Sequence, residues 1–476
     1  MATGLWTARL GGGGRYGNEP ICSNAVARTF ALILFFPWAV PAVCPALPPG
    51  VFGFEALELQ PLPEEEQSAP SGLSDFGRVV GHSRNGGATG TPVVWESGNV
   101  HVLPDPIGLR WSREGRISPS GDFIVGAGDE IDTGNARGIV WAPGRGMAAL
   151  ERLPGTAFAA AVDANDSGWF AGRCSGSNRA TLWHGLDEPM ALGPAYSSAF
   201  GINELREVVG YYRNFTTDAY RPCFWDSAGR LTEIGGGGEP PTTDGDAYDV
   251  NNLSEVVGMF ENIGAYIWRN GQLRWLPSVG GCDAESTAYA VSDSGWIVGR
   301  DADGQCHWLV AALWWSDTEG ALLENCSVRG LPEGAVMYEA SDINSANQIV
   351  VGADLLDGWA RAFLLTPYNF NLSDPAPGIA GQVSTIQVSG LQPGQKVRLA
   401  AGFKAGAQAL PNSSCLGGLL LIQNLKGVLP PAIADNAGIA TFIVNVPATL
   451  RGQTLRLQAY DTDNCTISHS VDWVWE

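Results

Sequence analysis

Positive charge is scarce in this chain: 28 lysines and arginines stand against 49 aspartates and glutamates in 476 residues, a formal charge of −21. Such a surface repels phosphate backbones and anionic lipid, so nucleic acid is excluded as a partner, and cations or neutral polymers are favoured. After residue 46 no apolar run is long enough for a bilayer, which predicts no membrane span. The five histidines fall at unrelated places, and no HExxH, GxSxG or phosphate-cradling glycine loop occurs. No CxxC or Cys/His cluster has metal spacing, so a zinc site is unsupported.

What is present points to short strands. Sixty-two glycines and 30 prolines are too many for a helical protein, and 17 tryptophans supply large apolar anchors. Residues 29–40, TFALILFFPWAV, follow Arg28 and precede small residues at Ala42 and Ala46. That run is too short to span a membrane and matches the apolar region of a secretory signal, so residues 1–46 read as a signal peptide with an over-extended start. Export to the cell surface or beyond is expected. Cys44 follows Pro41, Ala42 and Val43, a poor lipobox. Seven cysteines then remain, at 174, 223, 282, 306, 326, 415 and 465, and in an oxidising compartment most of them should pair.

A unit typified by residues 200–225, FGINELREVVGYYRNFTTDAYRPCFW, recurs seven times. Its second apolar run ends in a glycine at Gly81, Gly126, Gly172, Gly210, Gly258, Gly299 and Gly352. An aromatic follows each glycine, at Trp95, Trp141, Trp183, Trp225, Trp268, Trp314 and Phe363, and a further alternating run follows that. Four short strands per unit and seven units predict an all-β chain: a seven-bladed propeller over residues 47–367, with a linear solenoid as runner-up. The seventh unit lacks its last strand and residues 54–59, FEALEL, have that strand's pattern. They are expected to complete the last blade. Units two and seven have one or more extra residues before the glycine, which predicts local bulges.

The phrase AFGINELREVVG with its tryptophan strand, and the variant RISPSGDFIVG, resemble the extracellular HAF-repeat family over residues 54–366. The resemblance implies export and a propeller-like fold, and no defined activity. Residues 368–476 alternate as QVSTIQV, KVRLAAGF, LGGLLLIQ, ATFIVNV and TLRLQAY, which predicts a small Ig-like antiparallel sandwich. Cys415 and Cys465 are its only cysteines, and a disulfide between them is the natural reading.

In such a ring the tight turns share one rim and the long variable loops the other. A rigid scaffold presenting variable loops is the usual form of a binding face. The long-loop rim is assigned Trp111, Tyr211, Tyr212, Phe215, Trp308 and Trp359 beside Asp244, Asp246, Asp301, Asp303 and Asp357. Exposed aromatics flanked by carboxylates can stack sugar rings or hold a cationic ligand. The competing view is that the aromatics pack their own loops and the acids are solvated. DADG at residues 301–304, TDGD at 243–246 and DTDN at 461–464 group hard oxygen ligands, but none has the further carboxylate of an EF-hand, so structural calcium stays open while no cofactor is required. The expectation is a monomeric, non-catalytic exported protein that binds a glycan or an extracellular protein. The alternatives are a glycoside hydrolase or lyase using rim carboxylates, and a structural envelope component.

Overall fold

The computed structural model describes residues 47–476 except 86–89, 106–107, 143, 176–177, 236–242, 282–285, 304, 411–418 and 462, with the backbone alone at 111–114, 409 and 419. The signal region, Cys282 and Cys415 lie outside the described residues. All described elements are strands apart from two single-turn 3₁₀ segments, Leu323–Asn325 and Ala448–Leu450. None is a helix long and apolar enough to cross a membrane.

The typical unit forms one four-stranded antiparallel sheet. In unit four the strands Ser197–Ile202, Val208–Asn214, Ala219–Trp225 and Leu231–Glu233 pair in sequence order. Sheets opening at Gln67–Leu73, Leu109–Ile117, Phe158–Ala164, Gly245–Val250 and Thr287–Val291 repeat that order. The seventh unit supplies Val336–Ile343, Ile349–Asp354 and Ala360–Tyr368, and its fourth strand is Gly53–Leu59 from the other end of the sequence. Phe54 lies opposite Pro367 and Leu59 opposite Ala362. Val328–Arg329 adds a short parallel strand beyond it.

In units one and three to six the glycine that marks the repeat has a mechanical cause. In unit four Ala199 pairs with Gly210, but the next pair is Gly201 with Val209, so Phe200 is an extra residue bulged out of the ladder. The bulge drives the Ser198 carbonyl toward the second strand. A Cβ on Gly210 would lie 1.9 Å from that oxygen, and one on Gly258 would lie 2.0 Å from Asp246 O. Only glycine fits. The same shift occurs in every unit, at Ser71, Val162, Phe200, Tyr248, Tyr289 and Ser341, and between Glu114 and Ile117 in unit two. Units two and seven carry a second shift each, as their sequences suggested. The shared bulge was not anticipated, because an alternating run reads the same with or without one extra residue.

Neighbouring units share their cores. Val257 and Ala265 of unit five pack with Ala288, Ile297 and Trp314 of unit six. Leu73, Val79, Val93 and Trp95 of unit one pack with Leu59, Val350, Ala362 and Leu364 of unit seven. Trp95, Trp183, Trp225 and Trp314 are almost wholly buried. Polar staples also repeat between neighbours. Ile202 N donates to Asp163 Oδ2 at 2.9 Å, Val291 N to Asp249 Oδ2 at 2.9 Å and Leu73 N to Asp342 Oδ2 at 2.8 Å. Asn165 Nδ2 donates to Asn203 O, Asn203 to Asn251 O, Asn251 to Ser292 O and Asn344 to Ser74 O. In both series the last bond runs from unit seven to unit one.

After Tyr368 a three-stranded sheet, Asn371–Leu372, Val383–Ser389 and Ile439–Asn445, faces a second sheet. That sheet consists of Leu419–Val428, Lys396–Ala409, Thr454–Asp461 and Thr466–Val474, with Ala432–Ile433 beside it. Phe370, Ile386, Phe442, Leu399, Leu457 and Trp475 fill the space between them.

Candidate functional site

The tight turns between first and second strands gather at one end of the sheets, and the loops between second and third strands at the other. Among the eleven residues assigned to the long-loop rim, only Phe215, Asp244, Asp303, Trp308, Asp357 and Trp359 lie in loops. Trp111, Tyr211, Tyr212, Asp246 and Asp301 are in strands, which extend further into these segments than their turn-rich sequences indicate. For Trp111 only the backbone position is described, opposite Gly128.

Most of the assigned carboxylates serve the scaffold. Asp301 is fully buried and accepts from Val279 N at 2.6 Å and Gly280 N at 3.1 Å. Asp246 is 2% exposed and accepts from Tyr248 Oη at 3.2 Å. Asp244 accepts from Tyr220 N, and Asp357 from Trp359 N. The Tyr212 hydroxyl donates to Glu233, which also receives Arg221 Nε at 2.9 Å, and burial together with that carboxylate raises the Tyr212 pKa. Arg221 is 1% exposed and the Glu233 side chain 27%, so this group is a part-buried network within unit four, and Arg221 Nη1 extends it to Thr243 O at 3.3 Å. Tyr211 packs against Phe200 and Tyr220.

Two aromatics behave differently. Trp308 is 72% exposed and Phe215 64%. Trp308 follows a loop held in shape by Asp303, whose Oδ1 accepts from Gln305 N, His307 N and Trp308 N. The bond from His307 leads the effects that hold the Asp303 carboxyl below its usual range. Cys306, in the same loop, is disulfide-bonded. Phe215 stands edge-on to Tyr196 with centroids 5.7 Å apart, and the Arg213 guanidinium lies 5.3 Å from its ring centre. Arg213 is anchored by Asp218 at 2.5 Å.

A second feature lies at the tight-turn end. A depression of about 230 Å³ is lined by residues of all seven units. Arg116, Asp163, Asp249 and Asp342 are among its lining residues, the three aspartates just after their bulges and Arg116 within the wider shift of unit two. Arg116 Nη1 lies 3.3 Å from Asp249 Oδ1, and its Nη2 donates to Tyr289 O at 3.2 Å. Burial pushes the Asp163 carboxyl up to about 7 and that of Asp342 to about 6, against the opposing pull of Arg116. Sequence reasoning missed these four. The available signal was the residue preceding each apolar–Asn or apolar–Ser pair, as in DAN, DVN, DIN and RIS.

Among the described residues no group of three or more His, Cys, Asp or Glu is placed to hold a metal ion. Cys174, Cys223 and Cys326 are buried, and Cys465 is disulfide-bonded.

No family model matches the chain, and no curated protein matches it. Among solved structures, it is similar to an acylaminoacyl peptidase from Pyrococcus horikoshii at 13% identity, with a TM-score of 0.40, covering 69% of this chain and 59% of that one. Kuenenia stuttgartiensis hydrazine synthase gives 10% identity and a TM-score of 0.30, over 83% and 64% of the two chains. Prolyl oligopeptidase B from Galerina marginata gives 9% and 0.32, over 87% and 56%. The chain thus spans between 56% and 64% of the length of these three proteins.

Proposed function

We propose that this is an exported, non-catalytic binding protein: a closed seven-bladed propeller of the HAF-repeat type, followed by an Ig-like sandwich, that recognises a glycan or an extracellular protein through its long-loop face. Ring closure is supported by the repetition of three contacts. The Asp and Asn staples join unit seven to unit one as they join internal neighbours. Trp95 Nε1 donates to Gln60 O, just beyond Gly53–Leu59, as Trp183 does to Glu151 O and Trp314 to Pro277 O.

The binding reading rests on Trp308, a largely exposed tryptophan on a loop fixed by a carboxylate turn and a disulfide. A loop already ordered loses little entropy when it docks, and an exposed indole offers a flat apolar face to a sugar ring or a protein side chain. Trp308→Ala is expected to weaken binding at least tenfold on a glycan array or an extracellular protein panel, with unfolding free energy changed by no more than about 0.5 kcal/mol, the usual scale for a surface substitution. Unchanged binding by the Trp308→Ala protein, against a ligand the unaltered protein holds, overturns the reading.

The depression at the tight-turn end favours a second reading, a hydrolase. It holds carboxyls raised toward neutrality beside Asp249 paired with Arg116, and opposed acid and base carboxyls are what glycoside hydrolysis uses. Against it, Asp163, Asp249 and Asp342 each accept a backbone N–H of the next unit. Turnover of any polysaccharide, lost by about 100-fold or more in Asp163→Asn, would favour the hydrolase.

A further inference from the structure

The C-terminal residues touch the rest of the chain at a particular place. Glu55, in the fourth strand of unit seven, is 6% exposed. Its carboxylate accepts from Ser470 N at 2.6 Å and from Ser470 Oγ, and lies 3.7 Å from Arg456 Nη1. Arg456 is itself held by Asp472 at 2.6 Å. Burial raises the Glu55 carboxyl, and the Ser470 bonds and Arg456 oppose that rise. Just before this strand, Phe52 N donates to Tyr368 O, and Asn369 Nδ2 donates to Gly50 O at 2.9 Å.

The same C-terminal sheet reaches unit one. Gln423 Nε2 donates to Ser97 O in the turn between the third and fourth strands of that unit. The backbone of Gly406 comes so near that a Cβ on Gly98 would lie 3.3 Å from it. Between these two contacts Ala407, 4% exposed, enters the core shared by Leu59 and Leu364 of unit seven and Val93 and Trp95 of unit one.

We infer that the C-terminal sandwich is a clasp across the seam where the two ends of the repeat region meet, holding strand Gly53–Leu59 in the last sheet. The inference rests on the ring-closure reading above and goes beyond it by giving the sandwich a task. The physical need is plain. Every other fourth strand follows its own third strand through a short connection, whereas Gly53–Leu59 is held in its sheet by non-covalent contacts alone. A single module bound to both sides of the seam turns two local openings into one costlier event.

Backbone amide exchange of the full chain tests this, because it reports opening strand by strand. Glu55→Ala removes the acceptor of Ser470, Ala407→Asp places a charge in the seam core, and Gln423→Ala cuts the bond to unit one without touching a core. For Glu55→Ala and Ala407→Asp, exchange at Gly53–Leu59 is expected to rise tenfold or more while Val208–Asn214 of unit four is unchanged. Gln423→Ala is expected to give a rise of about threefold at the same strand and guards against misfolding of Ala407→Asp. If Ala407→Asp and Gln423→Ala leave Gly53–Leu59 unaffected, or if units four and seven accelerate equally, there is no clasp. A different failure, absence of protection at Gly53–Leu59 in the unaltered protein, removes the ring reading and the clasp with it. Binding through Trp308 is expected to persist in Glu55→Ala, which separates this result from the proposed binding face.

Discussion

At the scale of single residues, distinctive sequence and chemical function part company. The EVVG glycine is the most repeated residue of the chain, and its cause is steric: the carbonyl displaced by the first-strand bulge occupies the place of a Cβ. Gly210→Ala forces that carbonyl or the second strand to move and costs backbone geometry in two strands at once. We expect a loss of about 3 kcal/mol or more by denaturant unfolding, on the scale of strained core substitutions. A change within about 0.5 kcal/mol would show that the bulge relaxes freely. Tryptophan divides by place in the same way. Trp225 is wholly buried, whereas Trp308 is 72% exposed. The acids assigned to recognition mostly cap turns and accept backbone N–H groups, a role for which Asp is chosen whatever the ligand.

At the scale of elements, the first strand of each unit does two things. Its bulge sets the close approach to the second strand, and the residue after the bulge faces the next unit, so an aspartate there becomes a bond between sheets. Asp163 and Asp342 make that bond in surroundings that raise their pKa to about 7 and about 6. A carboxyl raised on folding contributes stability that is fully present below its unfolded pKa, near 4, and is lost as pH climbs through its folded value. Unfolding free energy should therefore decline from about pH 4 to about pH 7.5, and Asp163→Asn should flatten part of that slope. The half-buried turn acids act oppositely: Asp303 and Asp226, lowered by their hydrogen bonds, lose their contribution as pH falls below 4. A stability profile that rises steadily from pH 4 to pH 8 would contradict the assignment for Asp163 and Asp342.

At the scale of the whole molecule, the order of contacts matters more than their number. In the other units all four strands come from one stretch of chain, while the fourth strand of unit seven is the stretch that leads into unit one, so the seam is held by its pairing with Ala360–Tyr368, by Asp342 with Leu73, Asn344 with Ser74 and a common core. The clasp inference follows from that asymmetry. It also separates the two ends of the sheets: the tight-turn end is laced by backbone-directed bonds such as Asp166 N to Glu204 and Glu204 N to Asn252, while Trp308 and Phe215 stand out from the long-loop end.

The sequence by itself determined the strand pattern, the unit boundaries and the place of residues 54–59, because apolar alternation and turn residues act over a few neighbours at a time. It marked the glycine and tryptophan positions without their reasons, since a close carbonyl and a shared core belong to a second strand or a second sheet. Asp246 and Asp303 look alike in sequence, and only tertiary structure buried the first between sheets and left the second to shape the loop below Trp308. The gathering of Arg116 with Asp163, Asp249 and Asp342, and the seating of Ala407 between units one and seven, join residues from separate units of the chain. Such meetings are fixed by how sheets pack, which local alternation does not encode.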